Sequence, residues 1–207
     1  MRLVYSVRKL LMAQKSRQFT SLDVGYDLCV ALAVAFLFVP LHMVLSWCCA
    51  VIVHELGHWA ALRIMKIPII SVSLSARGVV MNTERMLPRE EFFCAAAGPA
   101  CSLMLLLTAR WLPLIAFCGV AQGVFNLLPV FPLDGGRMLR LLIESCIPGR
   151  GDAVVMYISY AVGALSLLAV LHLPRIGVSS GAVLVAIILY RFAVLKFSCK
   201  DRPKQVQ

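Results

Sequence analysis

The chain has 207 residues, of which 61% are hydrophobic and 14% charged, with a formal net charge of +10 and a mean hydropathy of +0.88. Globular domains carry about 25% charged residues, so this composition excludes an ordinary soluble enzyme and describes an integral membrane protein. The basic excess does not argue for nucleic acid either, because no recognition motif accompanies it.

Residues 1–25 carry Arg2, Arg8, Lys9, Lys15 and Arg17 before the first acid, Asp23. The apolar run that follows leads on into more apolar sequence without a small-residue cleavage site, unlike a secretory signal. The segment is expected to be a basic cytoplasmic or interfacial stretch that lies on an anionic membrane surface, sets topology, or is a solvated tail. From Tyr26 to Met65 the chain is apolar, long enough for two helices at about 20 residues each. Pro40 removes a backbone donor and restricts its predecessor, so helices are expected over 26–41 and 43–65.

The second of these contains Val53-His54-Glu55-Leu56-Gly57-His58-Trp59. Residues four apart share a helix face, so His54 and His58 can offer two imidazole nitrogens to one zinc ion. Glu55 then stands beside the metal without ligating it, the place of a general base acting on activated water. Two histidines and a glutamate with ordinary polar partners are the bland alternative. Ionisable groups inside an apolar span are costly and by default functional, which favours the metal.

Between Lys66 and Glu91 the pattern alternates: Ile70, Val72 and Leu74 interleave with Ser71, Ser73 and Ser75, and Arg77-Gly78 precedes Val79-Val80-Met81. A β-hairpin is expected. Non-helical backbone at a membrane is tolerated where protein or a water-filled cavity satisfies it, so the hairpin either lines the site, with Ile70, Val72 and Leu74 against substrate, or is a surface loop. Glu90 and Glu91 open a helix over 91–110, where the macrodipole favours negative charge. Its Ala95-Ala96-Ala97-Gly98-Pro99-Ala100 stretch suits close helix packing.

A helix over 111–128 leads into Asn126-Leu127-Leu128-Pro129-Val130-Phe131-Pro132-Leu133-Asp134-Gly135-Gly136-Arg137. Taken alone, Asp134 is an N-cap for the next helix. Beside a two-histidine site it is a candidate third ligand, because catalytic zinc commonly keeps three protein ligands and one open position.

The pair of motifs, His54-Glu55-x-x-His58 and Asn126-x-x-Pro129-x-x-x-x-Asp134-Gly135, resembles the site-2 protease family of intramembrane zinc metalloproteases, and Ala96-Ala97-Gly98-Pro99 is similar to that family's third core helix. The resemblance covers roughly residues 28–145. It implies that His54, His58 and Asp134 bind one catalytic zinc, that Glu55 activates water, and that Asn126 helps hold substrate or stabilise the oxyanion. The compact layout looks most like the family's sporulation-factor branch without its carboxy-terminal nucleotide-sensing module.

Beyond Asp134, Arg137, Arg140 and Glu144 fall on one side of a short interfacial helix with an i, i+4 Arg140/Glu144 pair. Pro148-Gly149-Arg150-Gly151 is a turn. Helices are expected over 153–173 and 177–197, with Arg191 and Lys196 snorkelling at the last helix's end. The eight cysteines show no Cys-x-x-Cys spacing and are expected as reduced thiols. With six spans, eighteen of the twenty Lys and Arg fall on one side and only Arg110 and Arg175 on the other, which puts both termini and the zinc site on the cytoplasmic side.

The expected architecture is thus an all-α polytopic membrane protein of about six transmembrane helices with a short membrane-associated β-hairpin. Its divisions are a basic segment 1–25, a metalloprotease domain 26–197 with core 43–145, and a basic tail 198–207. The expected function is hydrolysis of a peptide bond in or near a partner's transmembrane segment. Its partners are then a membrane-spanning or tethered protein substrate, such as a membrane-held transcription or sporulation factor, the bilayer and a regulatory membrane protein. A scaffold or transporter with a structural zinc site is the alternative, and Glu55 discriminates, since a structural site has no use for an unligated carboxylate.

Overall fold

The computed structural model describes residues 21–75 and 78–172. In chain order these form β1 (Ser21–Val24), α1 (Tyr26–Phe38), α2 (Leu41–Ile64), β2 (Ile69–Ser75), β3 (Gly78–Thr83) and α3 (Pro88–Met104). After a 3₁₀ turn (Leu105–Thr108) come α4 (Pro113–Asn126), α5 (Asp134–Cys146) and α6 (Gly151–His172). The chain divides into two compact units, one up to Phe125 and one from Asn126.

In the first unit the apolar run breaks where its proline requires. Val39 is extended (φ −118°, ψ 134°) and Pro40 precedes the first turn of α2. α1 is apolar and buries none of its residues. α2, at 24 residues, is about 36 Å long at 1.5 Å per residue. Leu41–Ile64 and Pro88–Thr108 are the two described helices long and apolar enough to cross a membrane, whereas Tyr26–Phe38, Pro113–Asn126 and Gly151–Leu165 are shorter apolar helices. Among the described residues, then, two spans of full length stand where six were expected. The expected helix over 177–197, with Arg191, Lys196 and Arg175, lies outside the described residues, as do most of the basic segment and the tail.

α2 and α3 pack through small side chains. The buried positions are Val44, Ser46, Ala50, His54, Gly57 and Leu62 on α2, and Cys94, Ala95, Gly98, Pro99 and Ser102 on α3. Lipid tails are as apolar as leucine, so such helices associate by close backbone approach and van der Waals fit. Gly57 shows how close: a Cβ there would lie 2.6 Å from the Ala97 carbonyl oxygen and 3.0 Å from Cys101 Cβ. At the start of α3 the Leu87 N–H donates to the Glu90 carboxylate at 2.9 Å, so the first-turn acid satisfies a helix-end donor.

The expected hairpin is present, with β2 and β3 antiparallel and Leu74 opposite Val79. The structure adds a strand that the sequence reading placed in the basic segment. β1 pairs parallel with β2, Ser21 opposite Ser71 and Val24 opposite Leu74, giving the order β1-β2-β3. Four residues are too few to show an alternating pattern, and a parallel partner is necessarily remote in sequence.

In the second unit α5 and α6 are joined by the expected turn. Glu144 accepts from the N–H groups of Gly149 (2.7 Å) and Gly151 (3.0 Å), while Arg140 reaches Asp152 at 3.9 Å. The segment before α5 is tied to α6: Phe131 N–H donates to Ser159 Oγ at 2.9 Å, and that hydroxyl donates to the Val155 carbonyl at 2.7 Å. Cys29, Cys48, Cys49, Cys94, Cys101, Cys118 and Cys146 are all free thiols, as expected for the described cysteines.

Candidate metal centre

The helical period places His54 and His58 on one face of α2, and that face is turned toward α3. His54 is 3% exposed; His58 is half-buried. Their Nε2 atoms stand 3.2 Å apart, with ring centroids 4.8 Å apart and planes at 83°. Each ring is held at its other nitrogen by α3. His58 Nδ1 lies 2.8 Å from the Cys94 carbonyl oxygen. A carbonyl only accepts, so this nitrogen carries the proton and His58 Nε2 keeps a lone pair. His54 Nδ1 lies 3.0 Å from Ser102 Oγ.

A tetrahedral zinc with Zn–N bonds of about 2.0–2.1 Å places two nitrogen ligands about 3.3 Å apart, close to the 3.2 Å observed. Metal-bound histidines also donate their second N–H to a carbonyl or comparable acceptor, which is the role open to Cys94 O and Ser102 Oγ. The pair therefore fits a zinc ion. Glu55 follows His54 and is rotated from it by about 100° around the helix. It is half-buried, off the face the histidines share.

Room for the His58 ring depends on Gly98. A Cβ at that position would overlap the imidazole, lying 2.5 Å from Cε1 and closer still to Nε2. Helix α3, expected to serve packing alone, therefore also orients both rings. Sequence reasoning missed this role of Cys94, Gly98 and Ser102. A backbone carbonyl has no residue-type signature; Ser102, a lone hydroxyl in an apolar helix, was the available signal.

In the second unit Asp134 is 7% exposed and is the first residue of α5, with Leu133 in the cap position. The simple N-cap alternative is thereby corrected: the carboxylate belongs to the first turn, where the macrodipole stabilises its charge. Arg137 Nη1 lies 3.9 Å from its Oδ1. Gly135 and Gly136 let the preceding segment lie against the helix start, since a Cβ on Gly136 would come within 2.6 Å of the Val130 carbonyl. By donor type, the imidazoles of His54 and His58 in the first unit and the carboxylate of Asp134 in the second are all ligands that zinc accepts. Asn126 is half-buried at the end of α4.

Ile70, Val72 and Leu74 all lie on β2, which pairs on both sides over Ser71–Leu74. The backbone of Val72 and Leu74 is already used there. Among the described residues the outer strand of the hairpin is β3.

Residues 106–170 match peptidase family M50. The match spans less than a third of the chain. That match includes Asn126 and Asp134, and the His54–His58 helix lies before it. Among curated relatives, the chain is 29% identical over 147 residues to a putative zinc metalloprotease of Synechocystis sp., covering 59% of this chain and 39% of that one. It is 34% identical over 113 residues to the putative zinc metalloprotease Rip3 of Mycobacterium tuberculosis, covering 44% and 28%. To the stage IV sporulation protein FB of Bacillus subtilis it is 33% identical over 112 residues, covering 47% and 39%. The aligned part is thus less than half the length of each of these relatives. The solved site-2 protease from Methanocaldococcus jannaschii superposes with a TM-score of 0.64 at 20% identity, covering 90% of this chain and 93% of that one. The likeness is one of fold, mostly helical with a small sheet.

Proposed function

We propose that this protein is an intramembrane zinc metalloendoprotease, hydrolysing a peptide bond within or near a transmembrane segment of a partner protein. The observation that carries the reading is the His54/His58 pair, with two imidazole nitrogens 3.2 Å apart in a strongly apolar chain. The relatives named as zinc metalloproteases support it. His54, His58 and Asp134 would hold the ion, and bound zinc supplies a Lewis acid that polarises the scissile carbonyl and acidifies water.

The protein's own groups do the rest. Glu55, a carboxylate that is not a ligand, accepts a proton from the attacking water and passes it to the departing amine as the C–O bond forms and the C–N bond breaks. Asn126 offers an amide donor and an acceptor to hold the substrate backbone. The test is zinc content together with cleavage of single-span substrates by the detergent-solubilised protein. Stoichiometric zinc without hydrolysis of any substrate would favour the scaffold or transporter reading.

Similarity to a protein named for stage IV of sporulation supports a sporulation setting, with a membrane-tethered factor as the proposed substrate. In a six-span arrangement eighteen of the twenty basic residues would fall on one side, which supports cytoplasmic termini and a metal site on the same side. Single cysteines at positions 16 and 203 should therefore resist an impermeant thiol reagent added to intact cells, and efficient labelling of either from outside overturns that topology.

A helical substrate must unwind before attack, and the edge of β3 can receive the extended segment by strand addition. Substrates with Gly near the cut are then preferred, since unwinding them costs about 1 kcal/mol less per Gly. Proline removes a strand donor, and successive N–H groups point to opposite sides. One of Val80→Pro and Met81→Pro should therefore reduce cleavage while zinc content stays unchanged. Wild-type cleavage by both variants returns the hairpin to the status of a loop.

A further inference from the structure

We propose that Ser102 is a positioning residue for the metal: its buried hydroxyl holds His54 in the tautomer that leaves the Nε2 lone pair pointing toward His58 Nε2. This rests on the zinc reading above. Ser102 is 0% exposed and stands 3.0 Å from His54 Nδ1 across the helix pair. The need for it comes from the 3.2 Å separation of the two Nε2 atoms. Cys94 O already commits His58 to an Nε2 lone pair. A neutral His54 then has two choices: it donates from Nδ1 to Ser102, so that two lone pairs converge on a cation, or it donates from Nε2 to His58 and closes the site with an internal hydrogen bond. The hydroxyl can meet Nδ1 as acceptor or as donor, but once Nε2 is committed to a cation Nδ1 carries the proton, and in a dry helix interface an unsatisfied Nδ1–H is costly. Ser102 Oγ supplies the acceptor that the metal-bound form requires. One helix thereby supports both metal-ready rings, through a backbone carbonyl at Cys94 and a side chain at Ser102. Only the second can be altered by substitution.

Ser102→Ala removes the acceptor without enlarging the side chain, and alanine is a better helix former than serine. Zinc dissociation constants measured by competition with a chromophoric chelator on the full-length solubilised protein should rise roughly 10–100-fold, the cost usual for a lost outer partner of a metal-bound histidine. Ser102→Cys, with a weaker acceptor in similar volume, should fall between. Nitrogen NMR of the zinc-loaded wild type, which needs no variant, should find His54 protonated at Nδ1. A Ser102→Ala dissociation constant within about twofold of wild type, or a zinc-bound or unprotonated His54 Nδ1, overturns the proposal while leaving the protease reading intact. Failure of the wild type to bind zinc overturns both.

Discussion

Glu55→Gln should abolish measurable proteolysis and leave zinc bound. The amide keeps the size of the carboxylate and half of its acceptor capacity, but it cannot take a proton from water at neutral pH. General-base catalysis is worth roughly 10²–10⁴-fold, so cleavage of a single-span substrate should fall at least that far, while zinc content per protein, read by elemental analysis, stays that of the wild type. Asp134→Ala is the contrasting variant. It removes a proposed ligand and should lower metal content together with activity, because ligand loss and metal affinity are directly linked. Wild-type-like turnover by Glu55→Gln would falsify the assignment of Glu55 as base. Full zinc occupancy in Asp134→Ala would reduce that carboxylate to a first-turn charge stabilising α5.

The second large effect is expected at Gly98, and it separates folding from metal binding. Alanine at this position would place its methyl on the His58 ring, so the imidazole must rotate away, losing both the Cys94 carbonyl and its place opposite His54. The helix itself gains, since alanine is favoured over glycine in helix interiors by about 1 kcal/mol. Gly98→Ala should therefore fold and insert normally yet lose zinc by more than the roughly 10–100-fold that removal of an outer contact costs, and with it cleavage. Thermal unfolding and zinc titration on the same preparation check this. Unchanged zinc affinity would mean that α2 and α3 can separate enough to admit the methyl, and that the contact at Gly98 is not a determinant of the site.

Local periodicity and covalent geometry made part of this protein legible from its residues alone. His54 and His58 share a face because the helical period is a property of four consecutive residues, whatever surrounds them. The break before α2 follows from Pro40, the pairing of β2 with β3 from alternation about a short turn, and the membrane class from composition. What the tertiary structure decided involves partners far apart in the chain. β1 joins β2 as a parallel neighbour, Ser21 opposite Ser71, and this leaves β3, and not β2, at the edge of the sheet on the hairpin side. Asp134 entered the first turn of α5 and not its cap, because Gly135 and Gly136 let the segment from Leu127 to Val130 fold against the helix start. The histidines' outer partners, Cys94 O and Ser102 Oγ, are 36 and 48 residues away from them. A carbonyl oxygen is common to every residue and a serine in an apolar helix has many uses, so only the packing of α3 on α2 could reveal which of them face an imidazole.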